Sequence, residues 1–235
     1  MNAAALIALQ EIDSALDLNA NRRPRLPEVA AHAQAVAALK ELQAQMAAAQ
    51  QRIDTAQTAI EGAEHAAAEL TTKRTRLEAQ LKTVIAPREA EALMHQIQTI
   101  NGQRSELDDQ ELAALEEQAA GDETLTELQA AAPAAESAVT AAAAALAAAT
   151  AELDAEAAAL AERRVAAVAA MTPAEVALFE RVRKQFGGVG VARLEHGHHC
   201  SGCHMDLSPA EMDVVKAVPA GEVAECPQCG RLMVR

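Results

Sequence analysis

Aromatic side chains are nearly absent. The chain of 235 residues has two phenylalanines, no tryptophan and no tyrosine. Wide cores draw their burial energy from aromatic and branched side chains, each covering far more surface than a methyl group. Alanine supplies 61 residues, about half of the 51% hydrophobic content. It is the strongest helix former, and its small side chain lets helices approach closely. This balance excludes a barrel, a sandwich or a doubly wound sheet and points to long, thin helical structure.

Other scarcities are regional. Only three of the ten glycines precede residue 187, and no cysteine precedes residue 200. Basic charge is short: 20 Lys and Arg face 34 Asp and Glu, a formal −14. Residues 1–171 have a net charge of −13 and residues 172–235 a net charge of −1, so a polyanion is repelled by the first segment. No run reaches the roughly 18 strongly apolar residues of a membrane helix; the alanine run at 141–149 is short and weakly apolar. The start, MNAAALIALQEID, lacks a basic region and does not read as a signal peptide. A cytoplasmic location is expected.

The periodicity that is present is helical. Leu6, Leu9, Ile12 and Leu16 make residues 2–20 a short amphipathic helix. NANRRPRLP, with Pro24 and Pro27, breaks it. Over 28–84, Leu39, Met46, Ile53, Ile60, Ala67, Arg74 and Leu81 recur every seven residues. Leu42, Ala49, Ala56, Ala63, Leu70, Leu77 and Val84 follow three residues behind. Thirteen of these fourteen are apolar, the a/d pattern of a left-handed coiled coil. Pro87 begins a second long helix, 88–170, with Leu93, Ile100 and Leu107, then Leu125, Ala132, Val139, Leu146, Leu153, Leu160 and Ala167 in step. The spacing from Leu107 to Leu125 reads as a stutter, and with Gly121 and Pro133 nearby it predicts a kink or break between 118 and 134. The short connection at 85–87 predicts an antiparallel hairpin, with Leu77 opposite Leu93 or Met94 and Leu70 opposite Ile100. The second helix outlasts the first, and helix 2–20 has the length to cover the surplus beside the C-terminal module. Arg74 and Arg104 intrude on the seam and read as register devices whose stems cover it.

From residue 172 the texture changes. Thr172, Pro173 and Glu175 open one more helix, which holds both phenylalanines; GGVGVARLEHGHH reads as turn plus strand. Cys200-Ser-Gly-Cys203 and Cys226-Pro-Gln-Cys229 have the spacing that sets four thiolates around one Zn²⁺. Four protein ligands leave no open position, so the ion is structural and stands in for the core that so small a module cannot build. Gly202 and Gly230 supply backbone freedom to the two turns. Redox use of a CxxC needs a thioredoxin-like βαβ setting, which is absent. His196, His198, His199 and His204 crowd the first turn; they read as exposed groups or as donors to a neighbouring carbonyl, the alternatives being replacement of one cysteine as ligand or a second site. No nucleophile–base pair, phosphate-binding loop or H-E-x-x-H stands out, and no enzymatic activity is expected. The fold class is mainly α: a long antiparallel coiled-coil hairpin over 1–171, and a linker helix with a small zinc ribbon of short strands and a helix over 172–235.

Three stretches carry a family likeness: APREAEALMHQIQTINGQRSELDDQELAALEE, FERVRKQFGGVGVARLEHGHHCSGC and LSPAEMDVVKAVPAGEVAECPQCGRLMVR. With them the chain resembles the bacterial coiled-coil proteins that end in a C4-type zinc ribbon. The resemblance implies a hairpin with a ribbon at its base and no enzymatic activity. It also implies adaptor roles: some members bind the alternative nitrogen-type sigma factor and export-apparatus components, and the ribbon has been linked to messenger RNA. The alanine-rich, lysine-poor composition suggests a high-GC genome, where that sigma factor is not expected. The function read here is a zinc-binding coiled-coil adaptor for protein partners, with no membrane and no small-molecule substrate. The alternative is a nucleic-acid or transcription/translation-machinery binder acting through the ribbon, with Arg181, Arg183, Lys184, Arg193, Arg231 and Arg235 as contacts.

Overall fold

The computed structural model describes residues 2–219 and 222–235. Five helices and four short strands are named in chain order: α1 Ala3–Arg22, α2 Pro27–Leu81, α3 Pro87–Ala169, α4 Pro173–Gln185, β1 Val191–Glu195, β2 His199–Cys200, α5 Pro209–Ala217, β3 Ala224–Glu225 and β4 Leu232–Val234. A single 3-10 turn, Arg23–Arg25, joins α1 to α2. It falls where Pro24 lacks an amide hydrogen to continue the helix, and Pro27 then takes the first position of α2. The chain divides into two compact units, Met1–Ala31 with Ala143–Arg235, and His32–Ala142. The boundary expected at 171/172 lies inside the first.

The second unit is an antiparallel pair formed by α2 and α3. All fourteen heptad positions from Leu39 to Val84 are buried or half-buried, and between them only Ala66 and Thr71 share that state. On α3 the buried side steps regularly by three and four residues through 97, 100, 104, 107, 111, 114, 118, 121 and 125. The predicted break between 118 and 134 is absent, and α3 is continuous through Pro133. The apparent stutter is a change of frame. Glu111, Ala114, Gln118 and Gly121 fill the intervening seam, so the large side chains leave one heptad column at Leu107 and reappear in the other at Leu125. Pro133 and Gln129, the residue whose carbonyl loses its partner, are both exposed, where solvent is able to satisfy such a group.

Pairing across the hairpin is fixed by Arg52 Nη2 on Glu117 Oε1 at 2.7 Å, Gln118 on Gln57 at 2.9 Å and Arg74 on Asn101 at 3.4 Å. Leu70 lines a surface groove with Gln103 and Leu107, and Ile100 is buried in the same seam. The residue numbers of the bonded pairs, and of Ile53 with Gly121, sum to 169–175, around the 170–171 of the pairs expected from the sequence. Five residues separate Leu81 from Pro87, a longer connection than the sequence reading allowed.

Gly121 is required by contact. A Cβ on it would stand 2.7 Å from Ile53 Cγ1. Gly121→Ala gains about 1 kcal/mol of helix propensity but overpacks the seam at a cost of about 1–3 kcal/mol. A net loss of about 1 kcal/mol in urea unfolding is expected, reversed to a gain relative to Ile53→Ala alone when the two changes are combined. A loss in the double variant as large as the sum of the singles would refute this packing.

One 18-residue window of α3 reaches a mean hydropathy of 1.3, with none of it buried. By length and composition it meets the membrane-helix test that the sequence reading did not grant. The apolarity is that of alanine around 141–149; a methyl group buries little surface per residue.

In the first unit α1 packs on the end of α3, on α4 and on the ribbon sheet. Leu6 and Leu9 are fully buried with Phe179, Val182, Val191, Leu232 and Val234. This is the cover that the surplus length of the second helix implied. Polar side chains lock the position. Gln10 accepts from the Gly190 amide at 2.6 Å and the Val191 amide at 3.2 Å, and donates to the Gly188 carbonyl at 2.9 Å. Asn19 donates to the Leu153 carbonyl at 3.0 Å. α4 and α5 each begin with a reciprocal capping box, Thr172 with Glu175 and Ser208 with Glu211.

Candidate metal centre

The ribbon sheet has the order β2-β1-β4-β3, with β1 parallel to β4 and the outer pairs antiparallel. His196 and Gly197, at φ 53° and 78°, make the tight β1–β2 turn of the mirror-image type that suits the twist of a hairpin. Strand alternation separates the two sides of β4: Met233 joins Ala192, Leu207, Met212 and Val215 in the ribbon core, while Leu232 and Val234 face the α1–α4 cluster.

The ends of β2 and β3 deliver the cysteines. The Sγ atoms of Cys200, Cys203, Cys226 and Cys229 all lie within 4.8 Å of one another, with Cys203 and Cys226 at 4.0 Å. A disulfide needs about 2.05 Å, and all four thiols are free. A tetrahedron with Zn–S bonds of about 2.3 Å has sulfur–sulfur edges of about 3.8 Å, so the cluster fits one zinc ion. Among the described residues this is the one group of His, Cys, Asp or Glu that could hold a metal. The crowded histidines do not form a second. His199 Nδ1 instead pairs with Asp206 Oδ1 at 2.8 Å, and His199, with the neighbouring His198 and His196, holds the exposed Asp206 carboxyl below its ordinary range.

The two turns have one geometry. The His204 amide donates to the Cys200 carbonyl at 2.8 Å, and the Gly230 amide to the Cys226 carbonyl at 2.8 Å. Both residues sit directly after the second cysteine of a pair, and both are left-handed, at φ 57° and 74°. Left-handed freedom is thus needed at 204 and 230, not at Gly202. The role of Gly202 is spatial: a Cβ there would stand 2.8 Å from Arg231 Cδ and 2.9 Å from Ala192 Cβ. The strained His204 was legible only by matching it to Gly230.

Backbone amides point at the sulfurs: Met205 at Cys203, Gln228 and Cys229 at Cys226, and Arg231 at Cys229. Burial nevertheless pushes the Cys226 thiol up to about 12 and raises that of Cys203. At Cys229 burial acts in the same sense, but the Arg231 amide and guanidinium, together with the adjacent thiols, outweigh it and hold the group low. A bound zinc ion supplies the positive charge that keeps all four as thiolates. The ion has no free position, and the site is structural.

The basic residues proposed as contacts fare differently. Arg183 reaches Asp17 at 2.6 Å and lies 3.4 Å from Asp13. Arg193 pairs with Glu11 at 2.5 Å. Arg231 stacks over the Phe186 ring at 5.0 Å and donates to the Val189 carbonyl at 2.9 Å. Arg235 donates to the Val218 carbonyl at 3.1 Å. Arg181 and Lys184 are exposed and form no ion pair among the described residues. Unforeseen was the buried Asp13, bonded to Arg164 at 2.6 Å.

Family models match two parts of the chain: a CT398-like coiled-coil hairpin domain over residues 9–187 and a C4-type zinc ribbon domain over residues 199–233. An uncharacterized protein of Mycobacterium tuberculosis H37Rv, Rv2229c, is 28% identical over 98% of this chain and 94% of its own length. Three solved structures share the fold. A Mycobacterium smegmatis protein has a TM-score of 0.80 at 21% identity, covering 100% of this chain and 99% of that one. CT398 from Chlamydia trachomatis has 0.83 at 20%, covering 98% and 96%. The HP0958 protein of Helicobacter pylori has 0.64 at 13%, also covering 98% and 96%. The chain belongs to the CT398-like coiled-coil hairpin family, and its hairpin leads into a C4-type zinc ribbon built to hold one structural zinc ion.

Proposed function

We propose that this zinc-binding scaffold is a non-enzymatic cytoplasmic adaptor that holds protein partners on its helical surfaces. The observation that carries the reading is how the ribbon end is used. Its sulfurs close the metal's coordination shell, and Arg183, Arg193 and Arg231 are engaged within the fold. Little cationic surface is left there for phosphates, and no exposed aromatic is present for base stacking. Metal-paired thiols suit a reducing compartment.

The test has two arms. Affinity purification of the full chain from its native host, with nuclease treatment and mass spectrometry, is expected to retain a reproducible protein partner. Fluorescence anisotropy with single-stranded RNA and duplex DNA is expected to show no saturable binding at low salt. Binding that weakens steeply with salt, and that is lost on reversing Arg181 and Lys184, would replace the adaptor reading with the nucleic-acid one.

A further inference from the structure

Charge is distributed unevenly along the His32–Ala142 hairpin. Residues 71–104, which contain the turn, have six Lys and Arg against three Glu, a net +3 in a chain of −14. Residues 105–127 of α3 have nine Asp and Glu and no Lys or Arg. These charges are largely free. At the turn end, Lys73, Arg76, Lys82 and Arg88 are exposed and form no ion pair among the described residues. In the acidic band, of its nine carboxylates only Glu117 has an ion-pair partner there, Arg52.

Apolar surface follows the same division. Ile85, at the turn, is 97% exposed. At the level of the acidic band an open groove of about 620 Å³ runs between Ala48, Ala56 and Ala59 of α2 and Ala113 and Ala114 of α3. Leu112 and Leu115 are exposed beside it.

We propose that two copies of the chain pair side by side through this hairpin, antiparallel, so that the turn of each lies on the acidic band of the other and Ile85 enters the alanine-lined groove. Parallel pairing sets base against base and acid against acid. Antiparallel pairing with a stagger makes both contacts attractive, and a two-fold axis forms each of them twice. The spacing is consistent: from residue 87 to residue 113 is about 39 Å of helix at 1.5 Å per residue, which places the axis near residue 100. At 0.1 M salt the screening length is about 10 Å. Local complementary charges at contact distance are therefore only partly screened, while the net charges of the two chains are largely screened from each other.

Sedimentation equilibrium of the full chain tests this. A dimer is expected at 0.1 M salt, with association weakened at least tenfold at 1 M salt, and with a similar loss for Ile85→Asp. Charge exchange gives the decisive readout. Lys73→Glu with Lys82→Glu, which takes the turn segment from +3 to −1, and separately Asp108→Lys, Asp109→Lys, Glu116→Lys, Asp122→Lys and Glu123→Lys together, which take the band from −9 to +1, are each expected to be monomeric, because both contacts of their own dimers become repulsive. Mixed together they are expected to form a heterodimer, because both of its contacts are attractive. All of these positions are exposed, so helical circular dichroism is expected to be unchanged. A wild-type monomer under all conditions, a dimer insensitive to salt, or variants that fail to pair when mixed would each overturn the proposal. None of these results bears on the adaptor reading, which rests on capture of a different protein.

Discussion

Removing zinc from the full chain is expected to unfold the ribbon and leave the hairpin helical. Two of the eight buried residues of the ribbon core, Cys200 and Cys226, are themselves ligands, so the core does not close without the ion. Zinc binding contributes about 10–16 kcal/mol in small zinc modules, more than a module of this size gains from burial. The loss is local in sequence but not confined to the ribbon. Leu232 and Val234 leave the cluster that buries Leu6, Leu9 and Phe179, so α1 loosens as well. Hydrogen exchange after chelation, or in Cys226→Ser, is expected to rise across residues 199–233 and α1 and to stay unchanged across the middle of α2 and α3. Far-ultraviolet circular dichroism is expected to change little, because α2 and α3 hold 55 and 83 residues against 9 in α5. Loss of most of the helix would contradict two separately stabilised units. The pH dependence follows from the thiols. With Cys226 pushed up to about 12, the metal-free thiol holds its proton at neutral pH and zinc must displace it. Affinity therefore falls as pH falls, by up to about tenfold per unit for each proton displaced. A zinc affinity independent of pH between 6 and 8 would mean that the thiols are already ionised in the empty site.

The heptad frame of α2 was legible in the sequence because its seam residues are large enough to stand out: Leu39, Ile53, Ile60 and Leu70 mark it without help. On α3 the same signal fades where Glu111, Ala114, Gln118 and Gly121 occupy the seam. Such residues are tolerated because Ile53 fills the space over Gly121. That compensation lies on the other helix, some 70 residues away, and a periodicity read along one helix does not contain it. The metal ligands were legible in full because cysteine spacing encodes local turns. The fate of the basic residues was not, because each partner of Arg183, Arg193 and Arg231 belongs to a different element.

Asp13→Ala is expected to free α1 from the first unit. Asp13 is 2% exposed and is held by Arg164 through Nε at 2.6 Å and Nη2 at 3.3 Å, with Arg183 Nε at 3.4 Å. The bond to Asp13 is the main reason the Arg164 guanidinium is held above its ordinary value, with Glu180 adding to it. Removing one partner of a buried pair costs about 3–5 kcal/mol, because the remaining charge stays desolvated. Here Arg164 keeps Glu180 and Arg183 keeps Asp17, and both arginines are partly solvated, so about 3 kcal/mol is expected. If opening of α1 is the weakest step of the unit, that corresponds to roughly 100-fold faster exchange of its amides. Glu11→Ala is the control. Its pair with Arg193 is 2.5 Å long but more than half exposed on both sides, and such pairs contribute about 0–1 kcal/mol. Asp13→Asn separates charge from shape, since it keeps the volume and some hydrogen bonding but not the counter-charge. Exchange in Asp13→Asn close to that of Asp13→Ala would assign the attachment to charge; exchange close to wild type would assign it to hydrogen bonding. Unchanged exchange in both variants would mean that the attraction in this cluster only repays its desolvation, and that Leu6, Leu9 and Gln10 hold α1 alone.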